Sequence, residues 1–311
     1  MDRLSGARTR VARALLRGVL GVVTLAATMG CVYLLAVALD TRAANDPSTV
    51  PSAGRRERAE RLRAVCSWAP VFGGAHLRRA GIFDLVIVDA VRQRDGRVET
   101  SAAQIHRLHA SGALVLAYIS VGTVESWRHY APDVPRSWTL GAVEGWAGER
   151  YVDARRRRWR ALMAREARSL AAAGLDGLYL DNLDVAELHP ETAGGVVQLV
   201  ETLAAAVPDL LLVAQNGLAV ADRLPIDGLA HEDVYWRWDG RYRRSTEAER
   251  AALVPRLRAL REQGLPVFTL DYAPQGSAGA REALASSLAD GFRPAVSVLD
   301  LDRLPHGVPK C

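Results

Sequence analysis

The sequence predicts an α/β fold: a (β/α)8 barrel of parallel strands and intervening helices, preceded by one N-terminal transmembrane helix. Three observations carry that expectation. Residues 18–39 contain no charged side chain, and such a run at about 1.5 Å rise per residue spans roughly 33 Å, the thickness of a bilayer core. Further on, one unit recurs: a helical stretch, a glycine, then a continuously apolar run that closes on a polar or acidic residue. Glycine ends helices because it takes the left-handed conformation freely, and unbroken apolar runs suit parallel strands covered on both faces. The part so built holds about 250 residues, the size of eight such units. It shows neither the GxGxxG turn nor the P-loop expected after the first strand of a doubly wound sheet.

Composition agrees. A chain of 311 residues with 49% hydrophobic and 24% charged side chains is globular, not collagen-like or wholly disordered. The formal charge is +5, and Arg3, Arg8, Arg10, Arg13 and Arg17 against Asp2 place +4 of it in the first 17 residues. The basic charge therefore belongs to a tail and not to the folded part, which argues against a nucleic-acid partner.

Taken in order, residues 1–17 are a basic cytoplasmic tail and 18–39 a transmembrane signal anchor, because arginines on the N-terminal flank hold that side in the cytoplasm and send the rest outside. The alternative is a cleaved signal: TMGC ahead of Val32 resembles a lipoprotein cleavage box and would give a secreted or lipid-anchored protein. Residues 40–60 are a polar, proline-containing linker and the start of a short charged helix from Arg55. The barrel domain covers 61–311. Strands are expected over 67–74 and 82–90, then from Gly112 to Ser120, from Gly174 to Asp181, over 211–217 and 226–236, and after Gly264 and Gly291, ending at Asp271 and Asp300. Helices are expected over 101–111, 154–173, 191–207, 246–263 and 280–290, with at most one helical turn in 218–225 and a long insertion at 123–153. Cys66 and Cys311 stand near the two ends of the barrel domain. A closed barrel brings its first and last strands together, so a disulfide between them is expected in an oxidising compartment.

The strand C-termini of such a barrel meet at one rim, where its active sites form. Asp89, Tyr118, Ser120, Asp181, Asp184, Asn216, Glu232, Tyr235, Asp271 and Tyr272 all fall there. Carboxyls crowded in a partly dry cleft push one another's pKa values up, so that one can stay protonated while a neighbour stays ionised. Cleavage of a glycosidic bond needs that pair. Any single strand-end aspartate is as often a cap or an arginine's partner; it is the convergence that favours chemistry. Trp127, Trp138 and Trp146 in the insertion, with Trp236 and Trp238 after the sixth strand, put five of the seven tryptophans in rim loops, where they can pack among themselves or against sugar rings.

Other chemistries fit less well. His106 and His109 share a helix face but lack a carboxylate ligand pattern, and no loop of alternating oxygen ligands surrounds Asp181, Asp184 and Glu232, so no metal is implied. GxSxG is absent, Ser120 has no evident histidine partner, and arginines 155–158 suit a solvated helix face.

Several motifs now stand in order: AYIS (117–120), WAGERYVDARRRRW (146–159), AGLDGLYLDNLD (173–184), AQNG (214–217), GLAHEDVYW (228–236) and FTLDYA (268–273). Together they resemble glycoside hydrolase family 114, the endo-α-1,4-polygalactosaminidases, over about residues 66–301. The resemblance implies a TIM-type barrel, a polysaccharide substrate and no cofactor. It implies Asp181 and Glu232 as the catalytic pair, with Asp181 the expected nucleophile, Glu232 the acid/base and retention of configuration the outcome; Asp184 is the other candidate nucleophile. Asp89, Tyr118, Trp146, Asp153, Asp184, Asn216, Tyr235, Asp271 and Tyr272 are the expected substrate-binding residues. Because galactosamine polymers are cationic, Glu125, Glu149, Asp153, Asp239 and Asp271 are expected to add to the attraction of an acidic cleft. The alternative from another class is a non-catalytic polysaccharide-binding or cell-wall protein on the same barrel.

Overall fold

The computed structural model describes residues 51–72 and 76–309. The expected transmembrane segment 18–39, the basic tail and most of the linker lie outside the described residues, among which no helix is long and apolar enough to cross a membrane. Cys66 is disulfide-bonded; the expected pairing with Cys311 falls on a residue outside those described.

The strands in chain order are β1 (Trp68–Val71), β2 (Leu85–Val88), β3 (Leu114–Ser120), β4 (Thr123–Glu125), β5 (Thr139–Ala142), β6 (Glu149–Val152), β7 (Gly177–Asp181), β8 (Leu211–Gln215), β9 (Gly228–Glu232), β10 (Trp236–Trp238), β11 (Tyr242–Arg244), β12 (Val267–Tyr272) and β13 (Arg293–Ser297). Eight of them form one sheet in the order β1-β2-β3-β7-β8-β9-β12-β13, and every neighbouring pair is parallel. Its edges meet: the Trp68 indole N–H donates to the Arg293 carbonyl at 2.9 Å, and Arg293 Nε donates to the Val65 carbonyl at 2.6 Å. The eight-stranded barrel and its expected first strand are both present. The last strand stops at Ser297, short of the expected Asp300.

Alternate residues divide the core. Trp68, Ile87, Leu116, Tyr179, Val213 and Phe268 pack inside the barrel, while the residues beside them, such as Val86, Leu178 and Leu212, face the helices. That period of two decides below which strand-end side chains reach the site.

The helices follow their caps. Ser101 and Gln104 form a capping box ahead of the helix Ala102–Ala110, and Thr246 and Glu249 one ahead of Glu247–Glu262. The helix Arg157–Ala172 begins three residues later than expected because Asp153 takes the Arg155 amide and holds the turn out of helical register. Over 218–225 there is a single 3₁₀ turn, Ala221–Arg223.

The arginine-rich helix Ala53–Ala64 is part of the compact unit, which begins at Ser52. Arg55 grips Asp227 through both carboxylate oxygens, at 2.9 and 3.0 Å. Arg58 and Arg61 donate to the carbonyls of Asp209 and Gly112 at 2.6 and 2.8 Å. These acceptors all stand just before barrel strands, so the helix lies across the N-terminal end of the barrel. Leu62, 0% exposed, closes that end as a member of the inner core.

Candidate active site

Asp181 and Glu232 are the last residues of β7 and β9, two positions beyond the inward-facing Tyr179 and Ala230. Both carboxyls therefore point into the C-terminal mouth. β8 lies between the two strands, which sets their backbones about 9.6 Å apart. Side chains converging over the mouth then close part of that gap. The residue just beyond each of the three strands is left-handed: Asn182 at φ 62°, Asn216 at φ 59° and Asp233 at φ 59°. Asn and Asp tolerate that conformation best among residues with a side chain; it turns the backbone off the rim and leaves the Asn182 and Asn216 amides over the site, while Asp233 accepts the Trp238 backbone N–H at 3.3 Å. Asn182 Nδ2 donates to Asp181 Oδ2 at 3.1 Å, and Asn216 Nδ2 to Glu232 Oε1 at 2.8 Å. Tyr272, the inward residue at the end of β12, donates its hydroxyl to Glu232 Oε2 at 2.5 Å. Gly122 permits the close approach beneath: a Cβ there would sit 1.8 Å from the Asn182 carbonyl oxygen.

These groups line a cleft of about 490 Å³. One wall comes from the 123–153 insertion, which folds as a small antiparallel sheet in the order β4-β6-β5. It brings Glu125, Trp127, Arg128, Glu144, Trp146, Glu149 and Tyr151 to the cleft. Burial and the negative charge of Glu232 push the Asp181 carboxyl well above its usual range, opposed by hydrogen bonds from the Tyr118 hydroxyl and the Asn182 backbone amide. Asp184 is pushed up to about 6 by burial, then by Glu232.

Arg128, 1% exposed, organises the side beside β2. Its Nη1 reaches both oxygens of Asp89 at 2.9 and 2.8 Å, and its Nε and Nη2 reach Glu125 at 2.5 and 3.2 Å. Even so, burial outweighs the guanidinium and raises Glu125 to about 7. The guanidinium also stands 5.8 Å from the centre of the Tyr118 ring.

Of the expected site residues, Asp89, Tyr118, Trp146, Asp181, Asp184, Asn216, Glu232 and Tyr272 line this cleft together. Asp153, Tyr235 and Asp271 do not. Asp153 ion-pairs with Arg155 at 2.8 Å and Arg156 at 3.3 Å at the start of a helix. Asp271 neighbours Tyr272 on one strand and so faces the helices, where its Oδ1 accepts the backbone N–H groups of Tyr235 and Trp236 at 2.6 and 2.8 Å. Tyr235 belongs to that same outer layer and donates its hydroxyl to Asp290. Asp239 pairs with Arg243 outside the cleft. Trp236 and Trp238 are also elsewhere: Trp236 lies against Gly279, where a Cβ would sit 2.5 Å from the ring, and Trp238 packs edge-on to Tyr242 at 4.6 Å.

Ser120 is buried and tied to Thr123 Oγ1 at 2.6 Å. His109 bonds Asp176 at 2.9 Å, away from any ligand cluster. Among the described residues there is no group of three or more His, Cys, Asp or Glu placed to hold a metal ion. Arg128, and the Tyr179 hydroxyl bonded to Gln215, also line the cleft and fall outside the expected set. Tyr179 and Gln215 could have been found from strand parity, since each stands on an inward position of a barrel strand. Nothing local marks Arg128.

A parallel barrel with two carboxyls, Asp181 and Glu232, in the cleft at its C-terminal mouth has the build of the barrel glycoside hydrolases. Residues 48–307 match the family model of glycoside-hydrolase family GH114, and the chain belongs to that family: it is a glycoside hydrolase. The glycoside hydrolase domain of PelA from Pseudomonas aeruginosa is similar at 27% identity with a TM-score of 0.67, covering 78% of this chain and 98% of that one. Ega3 from Aspergillus fumigatus, solved in complex with galactosamine, shares the fold at 15% identity and a TM-score of 0.64, over 78% of this chain and 96% of its own. An uncharacterized protein of Deinococcus radiodurans is 28% identical over 284 residues, 83% of this chain and 88% of the relative.

Proposed function

We propose that this glycoside hydrolase cleaves α-1,4-linked galactosamine-type polysaccharide within the polymer, with Asp181 and Glu232 as its catalytic pair. The observation that carries the reading is that pair standing in a cleft lined by nine carboxylates and one guanidinium, a setting that favours a polymer bearing ammonium groups. The same reading holds the enzyme outside the cytoplasm, tethered through the uncharged run 18–39 behind its flanking arginines. Its test is incubation of the chain with α-linked amino-sugar polymers and with a neutral galactan. Oligosaccharide release is expected from the galactosamine polymer and not from the galactan. Release from none of the amino-sugar polymers would end the reading.

In the proposed step Asp181 attacks the anomeric carbon and forms a glycosyl ester while Glu232 gives its proton to the departing oxygen. Glu232 then takes a proton from the water that opens the ester, and configuration is retained. Asn216 and Tyr272 hold the Glu232 carboxyl in place through both steps.

One observation favours the reverse roles. Burial raises Asp181, whereas Glu232 accepts a donor on each oxygen, which suits the ionised form. Azide separates the two readings on an aryl α-galactosaminide, because it replaces a missing nucleophile from the opposite face but attacks the glycosyl ester when only the acid/base is missing. Asp181→Ala with azide is expected to give the β-azide, and Glu232→Ala the α-azide, read by the anomeric proton coupling. The opposite pattern would exchange the roles.

A further inference from the structure

We propose that Asp184 is the residue that recognises the free 2-amino group of the sugar, so that the enzyme discriminates against N-acetylated units. This rests on the reading of the cleft as a galactosamine-polymer site and adds the group that selects for the amine.

The acids around the catalytic pair are mostly occupied. Arg128 neutralises Asp89 and Glu125. Thr123 donates to Glu149 at 3.1 Å. Asn216 and Tyr272 hold Glu232, and Asn182 holds Asp181. Asp184 differs from all of these. Its Oδ1 is shut off from solvent with no hydrogen-bond partner. It stands at the N-cap position of the short helix Val185–Leu188 yet makes no side-chain cap bond. No cationic side chain among the described residues pairs with it in an ion bridge. The usual structural duties of a half-buried aspartate, an ion pair or a helix cap, are thus unfilled, and its carboxylate gains most when something arrives to satisfy it.

Its surroundings indicate what arrives. Asp184 lines the cleft three residues after Asp181, near enough to Glu232 and Tyr151 for its charge to act on both. The reacting carbon of the sugar must lie between Asp181 and Glu232, and the amino nitrogen on C2 is two bonds from it. An ammonium group there brings up to three donors and a positive charge to the Asp184 carboxylate. An acetamido group brings one N–H, no charge, and a carbonyl and methyl that the carboxylate repels or excludes. A site built to satisfy a buried polar group rejects the analogue that cannot do so.

The test compares kcat/KM of the full chain on two oligosaccharides of equal length, one of α-1,4-galactosamine and one of its N-acetylated form. The wild type is expected to favour the free amine by tenfold or more. Asp184→Asn, nearly identical in shape, is expected to cut that ratio at least tenfold, because the amine substrate loses far more than the acetylated one. Asp184→Ser supplies the same readout if Asp184→Asn does not fold. A purely structural role would lower both substrates by one factor and leave the ratio unmoved, which would overturn the assignment; so would a wild type indifferent to acetylation or preferring it. A wild type that cleaves neither oligosaccharide would overturn the galactosamine reading itself.

Discussion

Asp181→Asn and Glu232→Gln are each expected to lower turnover of a galactosamine polymer by about 10³-fold or more, with affinity for the polymer nearly unchanged. The substitutions keep the shape of the rim. An amide oxygen at 181 can still accept from Asn182, and one at 232 can still accept from Tyr272. What disappears is the nucleophile in one case and the transferable proton in the other. The two losses should not add, because each residue acts only in a step that needs its partner. Turnover measured by reducing-end release, alongside calorimetric titration of the polymer, separates chemistry from binding. Wild-type turnover in both variants would remove the site assignment.

The second large effect is on stability. Arg128→Met is expected to cost about 3–5 kcal/mol, because it keeps the bulk of the side chain but leaves Asp89 and Glu125 buried without their common cation. In a domain of this size that corresponds to a fall in Tm of roughly 6 to 20 °C. The pH dependence has a definite sign. Burial already raises Glu125 to about 7 and Asp89 above its usual range in the presence of the guanidinium. Without it, both carboxyls have folded-state pKa values still further above those of the unfolded chain. The folded variant then binds more protons than the unfolded one, so its deficit against the wild type should shrink as pH falls and widen as pH rises. Thermal melts of both proteins between pH 5 and 8 would show it; a deficit independent of pH would mean that the loss comes from packing.

Much of the barrel was legible because its strands are short apolar runs after glycines, and parallel strands buried on both faces leave that mark. The place of Asp181 and Glu232 in the cleft was legible for a related reason: the last polar residue of an apolar run sits at a barrel mouth. The same rule overreached where it ignored the period of two. Asp271 and Tyr272 are adjacent on β12 and cannot both face inward; the tyrosine does, and the aspartate serves the backbone behind it. Strand β9 is shorter than expected because the left-handed turn at Asp233 ends it, and that turn carries Tyr235 and the two tryptophans after it away from the cleft. Arg128 was invisible for a different reason. A fully buried arginine between two acids arises from the meeting of β2 with the insertion, 39 residues apart from Asp89 to Arg128, and no local pattern encodes such a meeting.

The arginine-rich helix laid over the closed end of the barrel also determines where a handle can be placed. Whatever holds the protein at Ser52 grips the pole opposite the cleft, and strands of four to seven residues at about 3.3 Å each put roughly 13 to 23 Å of protein between the two. Beads, fusion partners or any surface joined at this position would leave the working face turned outward. A bulky, hydrated fibre could then be cut without its contour having to bend down to the support.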